Sequence, residues 1–490
     1  MEELFLKVDT FFKSINHYAD NMLMFDIFFG KVEGTSFPFV VALLIVGGIF
    51  LTLKMGFVNL RMFKHSFAIV QGKYKTSDDK GIISPFQSLA TALSATVGIG
   101  NIAAVSIAIS LGGPGAAFWM IMAGFLGMTL KFTEVTLSVQ HREFLPDGTI
   151  MGGGMEYLSR GLAQKGMAKV GKVMATVFAF FMILGALGAG NTFQISQSLT
   201  IVQGQIPLFN DMPWLFGVIM ATITGLVIIG GIKRIAHVAE KIVPLMVAFY
   251  LLMVFWVLGT HFTAIPDAFA LILKEAFAPT AMAGGIFVAM VQGFQRAVFS
   301  NEAGLGSAGI AHSAARVKYP VRQGMVSLYE PFIDTVVVCT MTALVVIVTG
   351  TYAGGTEVLD SAIAAKQGAV ITSTAFGSVV SWFPTVLGFA IFMFAFSTMI
   401  SWAYYGERAW VYLFGSKTSI VYKLIFLSFI ILATIANTST MVDFSSILFL
   451  ALAVPNIFGL IIMSGDVRRQ LTEYLAKLKS GELDKEALRD

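Results

Sequence analysis

The uncharged run from Thr91 to Pro114, TALSATVGIGNIAAVSIAISLGGP, is long enough to cross a bilayer and is interrupted at its centre by Val97-Gly98-Ile99-Gly100-Asn101. In hydrocarbon an unbroken helix is the least costly solution, because each unpaired backbone N–H or C=O there costs several kcal/mol. Two glycines and an asparagine weaken the helix at the depth where water cannot replace its bonds. Irregular backbone is tolerated there when it is buried in protein or lines a watery cavity. The run alone leaves two readings open: a kink for close helix packing, since glycine is common in membrane helices, or a binding site at mid-membrane.

The rest of the chain fits the same solvent. Of 490 residues, 56% are hydrophobic and 13% charged, against ~25% charged in a soluble domain, so the chain reads as an all-α polytopic membrane protein. Cys339 is the single cysteine, which excludes an intrachain disulfide and a cysteine metal site. His17, His65, His141, His237, His261 and His312 fall at or beyond the ends of apolar runs, and no two have ligand spacing on one helix. Convergent acid/base sets are lacking, so an enzyme is not expected. The basic residues are dispersed among loops, which gives no support for nucleic acid as a partner.

At ~20 apolar residues per span, the sequence predicts eleven: about 37–55, 84–111, 114–136, 171–200, 214–232, 238–260, 282–311, 323–350, 385–411, 420–437 and 441–464. Residues 1–36 form an amphipathic segment (Leu4, Phe5, Val8, Phe11, Phe12, Ile15) suited to an interface, and 465–490 a polar tail. The segments 262–281 and 355–380 are too polar to cross and read as short surface helices. Lys and Arg collect in alternate loops, such as Arg61, Lys64, Lys73 and Lys75, then Arg142, Arg160 and Lys165, then Arg316, Lys318 and Arg322. The positive-inside rule then places the N-terminus outside and the C-terminus in the cytoplasm.

With the span at 37–55 set aside, ten remain, dividing into 84–260 and 282–464. An odd repeat length inverts one half relative to the other. The first span of the second half is also interrupted, at Ser300-Asn301-Glu302-Ala303-Gly304-Leu305-Gly306. Interrupted helices at corresponding positions of inverted halves point to the midplane site of a secondary transporter.

The broken ends carry complementary partial charges. Carbonyls near Ser94 to Val97 suit a cation, and amides near Gly98 to Asn101 suit an anion. Glycines at 98 and 100 let a carboxylate approach the backbone. Carbonyls near Ala297 to Ser300 suit an ammonium group, so the two breaks together match an α-amino acid. Ser397 and Thr398 are adjacent hydroxyls in an apolar span, either hard oxygen ligands for an alkali cation or hydroxyls bonded into their own helix. Trp402 lies one turn beyond Thr398 on the same face and limits side-chain size if that face lines the cavity; the alternative is an interfacial belt residue. Asn191, Phe193 and Gln194 make a polar and aromatic patch in the fourth span. Arg296, Glu302, Glu330 and Asp334 are ionisable groups in or near spans, expected to be paired, with Arg296 facing Glu330 or Asp334. Proton coupling through Glu302 or Glu330 is the functional competitor.

VGIGN at 97–101 with the following NIAAVSIAISLGGPGAAFWM, FSNEAGLGSAGIAHSAA at 299–315, EPFIDT at 330–335 and STMISWAYYGERA at 397–409 closely resemble the alanine or glycine:cation symporter family of prokaryotic amino-acid carriers. The resemblance implies sodium-driven uptake of alanine or glycine across the prokaryotic cell (inner) membrane. It also implies a leucine-transporter-type fold of inverted five-helix repeats, each with a broken first helix, plus one preceding transmembrane helix. Carried over by position, the carbonyls of Ser94 and Val97 with the hydroxyls of Ser397 and Thr398 form one sodium site, and Asn101 with the Thr96 carbonyl a second. The resemblance matches Gly98 and Gly100 to carboxylate-binding amides; with the residues singled out above, the candidate substrate set is Gly98, Ile99, Gly100, Asn101, Phe193, Gln194, Ser300, Asn301, Thr398 and Trp402. No cofactor is expected beyond Na+ as coupling ion.

Overall fold

The computed structural model describes residues 2–29, 36–146, 148–277 and 285–487, and its helices begin and end close to the limits of the apolar runs. α1 (Glu2–Leu23) lies before α2 (Phe39–Lys54). α3 (Pro85–Thr96) opens with a capping box, Gln87 N donating to Ser84 Oγ and Ser84 N to Gln87 Oε1, both at 3.1 Å, with Pro85 in the first turn where its missing N–H costs nothing. It stops at Thr96. A short 3-10 turn over Ile99–Asn101 leads into α4 (Ala103–Gly112), and the two halves are bent by 55°.

α5 (Gly115–Gln140) follows, and a two-strand hairpin pairing Glu143–Phe144 with Ile150–Met151 leads on to α6 (Ala168–Leu187). α6 passes through a π-helical segment, Gly188–Thr192, into α7 (Phe193–Gln205), after which come α8 (Pro213–Ile228) and α9 (Gly231–Thr260). The second interrupted span is α10 (Ile286–Asn301) and α11 (Ala308–His312). The start expected for it, at 282–284, lies outside the described residues. α12 (Pro320–Val326) reaches α13 (Thr340–Val348) through a second π-helical stretch, Phe332–Cys339. α14 (Phe383–Phe414), α15 (Ser419–Ala433), α16 (Thr438–Leu450) and α17 (Ala453–Lys479) complete the bundle.

Among the described residues, seven helices are long and apolar enough to cross a membrane, or eight with the bent pair α3–α4 as one span; α2 and α8 are shorter apolar helices. Surface helices form at Ile265–Phe277 and Glu357–Ala364. Gly368–Gly377, expected on the surface, is instead a short apolar helix with most of its residues buried, because Thr372 and its neighbours pack against α4. The last helix does not end near 464. It runs on to Lys479, because Val467, Leu471 and Tyr474 give its polar half a buried stripe. α1 docks on α16, with Phe12 buried against Met441, Phe444 and Leu448 while Phe11 stays exposed.

One end of the bundle is clasped. Lys80 and Ile83, just before α3, bridge Val317 and Ala315, just after α11. Arg142 threads this clasp, donating to the carbonyls of Ser313 at 2.8 Å, Ala315 at 2.6 Å and Lys80 at 2.7 Å. Burial pulls its guanidinium down to about 10, which still leaves it charged at neutral pH.

Candidate functional site

The first break releases the end of α3 by diverting the amides that an unbroken helix would use. In a continuous helix the Ser94 carbonyl would accept from Gly98 N and the Ala95 carbonyl from Ile99 N. Instead Gly98 N donates to Asn101 Oδ1 at 2.9 Å, and Ile99 N to Gln194 Oε1 at 3.2 Å. Asn101 N turns to the Gly98 carbonyl at 3.2 Å, away from Val97. The helix end therefore presents backbone oxygens at mid-bundle, next to amides held by two neutral side chains. Gln194 stands where it does because the π-helical segment before α7 rotates that face inward, and its Nε2 bonds the Ala189 carbonyl at 2.9 Å.

The second break meets the first. A methyl on Gly100 would lie 3.3 Å from Ser300 Cα, so the two backbones approach at van der Waals distance. Ser300 Oγ donates to Asp334 Oδ1 at 3.1 Å, and Asn101 Nδ2 to the same oxygen at 2.6 Å. Cys339 Sγ stands 3.3 Å from Asn101 Nδ2 and 3.4 Å from Ser300 Oγ. Asp334 and Cys339 both come from the π-helical stretch before α13, which the sequence reading missed as part of the site. Asn301 is committed elsewhere: Nδ2 donates to Thr335 Oγ1 and Oδ1 accepts from Ala303 N, both at 2.9 Å. Asn191 also turns away, donating to the Phe426 carbonyl at 2.7 Å.

α14 closes the side of the first break. Ser94 Oγ donates to the Ser397 carbonyl at 2.7 Å, and Ser401 Oγ to the Thr91 carbonyl at 3.2 Å, which ties α14 to α3. The Ser397 hydroxyl bonds into its own helix at Phe394 O, 3.1 Å, and that of Thr96 at Ala92 O, 3.2 Å. The Thr398 hydroxyl is different. It is buried without a hydrogen-bond partner, and a methyl on Gly98 would run into it. A buried hydroxyl without a partner carries a desolvation cost, and with the released carbonyls it makes a set of hard, neutral oxygens that suits an alkali cation.

Trp402 is fully buried. Its ring lies flush on Gly190, where any side chain would strike it, and its Nε1 donates to Glu302 Oε1 at 2.9 Å. Phe193, Phe299, Phe449 and Trp402 form a chain of ring contacts at 4.7, 5.3 and 5.2 Å between centroids.

Beyond Trp402 lies a buried charged network. Glu302 leaves α10 in the left-handed region (φ 59°) and also accepts from Ser307 Oγ. Glu134 Oε1 accepts from Gly306 N at 3.1 Å and Asn456 Nδ2 at 2.7 Å; Asn456 also holds the Gly304 carbonyl at 2.8 Å and accepts from Tyr157 OH. Lys131, fully buried, pairs with Glu330 Oε2 at 3.1 Å. His312 Nε2 donates to Glu330 Oε1 at 2.5 Å, while its Nδ1 accepts from Gln323 at 2.6 Å. The expected pairing of Arg296 with Glu330 or Asp334 is therefore corrected. Arg296 Nη1 donates to Ser446 Oγ at 2.9 Å, because α10 carries it to the opposite side of the break from Glu330. Lys131 and Glu134, charges three residues apart in an otherwise apolar span, were the sequence signal for this network.

The comparisons with known proteins agree on one family. The model of the sodium:alanine symporter family matches residues 22–488. The sodium/alanine symporter AgcS of Methanococcus maripaludis is 37% identical over 88% of this chain and 92% of its own. The amino-acid carrier protein AlsT of Bacillus subtilis is 31% identical over 89% of each chain. Among solved structures, MhsT in complex with L-phenylalanine superposes with a TM-score of 0.52 over 78% of this chain and 89% of its own, at 14% identity, which speaks for the fold alone.

Proposed function

The chain belongs to the sodium:alanine symporter family, and from that premise we propose that it is a sodium-coupled symporter importing alanine or glycine by alternating access across a prokaryotic cell membrane. In this reading the ten helical spans after α2 form two inverted five-helix repeats, 84–260 and 282–464, with the N-terminus outside and the C-terminus in the cytoplasm. The observation that carries it is the release of the α3 carbonyls beside the unpartnered Thr398 hydroxyl. Sodium held by the carbonyls of Ser94 and Val97 and by Thr398, with Ser397 beside it, ties α3 to α14. That tie favours one conformation by the ion's differential affinity for the two states. Asn101, the Thr96 carbonyl and Ser300 make the second cation position, to which Asp334 adds a carboxylate oxygen.

The substrate carboxylate takes the amides of Gly98, Ile99 and Gly100, displacing Gln194 Oε1 from Ile99 N. Its ammonium group takes the carbonyl end of α10 near Ser300 and Asn301. Phe193 and Trp402 bound the remaining space, which suits a methyl group or hydrogen as side chain. Uptake of radiolabelled alanine into proteoliposomes tests this. Accumulation under an inward sodium gradient is expected, and accumulation driven only by protons in sodium-free buffer would overturn the coupling.

Proton coupling is the second reading, and one observation favours it: Glu302 bonds Trp402 directly and so joins a titratable group to the pocket wall. Under that reading Glu302→Gln abolishes proton-driven accumulation while the protein still folds.

A further inference from the structure

A cavity of about 500 Å³ lies outside the aromatic chain, lined by Gln292, Gln295, Arg296, Lys366, Asp443 and Ser446 among others. Its position follows from two helices in register. Arg296 on α10 bonds Ser446 on α16, and three residues further along each helix Phe299 meets Phe449 in a tilted ring contact at 5.3 Å. Arg296 stands one turn before Ser300, about 6 Å along the helix axis and on the same face. The cavity and the paired breaks are thus separated by one layer of rings.

The lining carries charges of both signs, Arg296 and Lys366 beside Asp443 and Asp20. Arg296 is 6% exposed; one of its donors goes to Ser446, its Nε has no partner, and it also lies within electrostatic reach of Asp443. A guanidinium offers five donors in a fork matched to a carboxylate. Asp443 is bonded to Lys366 Nζ at 2.5 Å, and that lysine sits on the turn between the surface helix Glu357–Ala364 and the buried helix Gly368–Gly377. Gln197 on α7 grips the same turn, Nε2 donating to the Lys366 carbonyl at 3.0 Å and Oε1 accepting from Ala369 N at 3.2 Å. Gln292 Oε1, also on the lining, is buried without a partner.

We propose that this cavity is an outer binding site for a zwitterionic amino acid, Arg296 taking the carboxylate and Asp443 the ammonium group after exchanging it for Lys366. Its place on the outer face rests on the orientation given above for the symporter. The site loads substrate one helical turn before the breaks and limits the rate at low external concentration.

The test compares the two faces of the membrane. Arg296→Gln and Asp443→Asn are each reconstituted, and half-saturation for radiolabelled alanine is measured for uptake and, separately, for exit by the reverse path. The expected result is at least a fivefold rise in half-saturation for uptake, less than a twofold change in maximal rate, and less than a twofold change for exit. Arg296→Lys, which keeps the charge without the fork, is expected in between. An equal rise on both faces, or no rise, overturns the outer site. Uptake of wild type is repeated with gluconate in place of chloride, and a rise confined to chloride-free buffer makes the cavity a halide site and overturns the proposal. If wild type accumulates no alanine, the symport reading fails. Equilibrium dialysis against a panel of neutral amino acids then decides the cavity alone: weaker binding in Arg296→Gln supports it, and unchanged binding overturns it.

Discussion

The two breaks differ in how their backbone is held, and the difference separates the part that meets ligands from the part that anchors the fold. At the first, Gly98 and Ile99 give their amides to Asn101 and Gln194, neutral groups that a carboxylate can displace. Neither glycine there has a positive φ; what position 98 requires is room, since the Thr398 hydroxyl occupies the place of a side chain. At the second, Glu302, Gly304 and Gly306 lie at φ 59°, 87° and 75°, and the segment is bonded to Glu134, Asn456, Ser307 and Trp402. A ligand competes easily with one weak amide bond. It does not compete with a network whose ionic members are buried, because removing any member strands a charge.

That contrast predicts a separation of effects, and its strongest test is at the second break. Lys131→Met leaves Glu330 buried with only His312, and loss of one partner of a buried pair costs about 3–5 kcal/mol. The thermal midpoint of the detergent-solubilised protein is expected to collapse, and Lys131→Met with Glu330→Gln together to recover much of it. An unchanged midpoint in the single variant would break the comparison. Gly98→Ala comes next. It drives a methyl into Thr398 Oγ1 and is expected to raise the sodium half-saturation of uptake about a hundredfold, roughly 3 kcal/mol, with a smaller fall in thermal midpoint than Lys131→Met gives, since overpacking costs about 1–3 kcal/mol. Thr398→Ala removes one ligand and leaves the backbone alone, so a rise of about tenfold is expected, or ~1.4 kcal/mol, with maximal rate kept at saturating sodium. An unchanged sodium half-saturation would take Thr398 out of the site. The smallest effect on transport is expected from Trp402→Phe, which keeps the ring contacts with Tyr405 and Phe449 and loses the hydrogen bond to the Glu302 carboxylate, a loss of about 1.5–3 kcal/mol in stability. Competition of alanine uptake by larger neutral amino acids measures it, and weak new competition is expected.

Much of this was legible in the sequence because the bilayer leaves few solutions. Apolar length set the helices, and glycine clusters at 97–101 and 300–306 marked both breaks to within about two residues. Asn101, Ser300 and Thr398 stand out in the sequence as polar residues within apolar spans, and the structure brings them together around the first break. The π-helical stretches were not found. A π-turn shifts a helix face by one residue without changing composition, and it is such turns that aim Gln194, Asp334 and Cys339 at the breaks. Arg296 was assigned to the wrong acid because hydropathy gives depth within a span but not which neighbouring helix faces it.

The sequence by itself determined that the chain is a membrane bundle with two interrupted helices, since hydrocarbon forbids unpaired backbone and only side-chain polarity says where pairing stops. Only the tertiary structure decided which charges meet. Lys131 with Glu330, Trp402 with Glu302 and Arg296 with Ser446 each join residues far apart in the chain. Such pairs are fixed by helix packing and rotation, to which a one-dimensional pattern of polarity is blind.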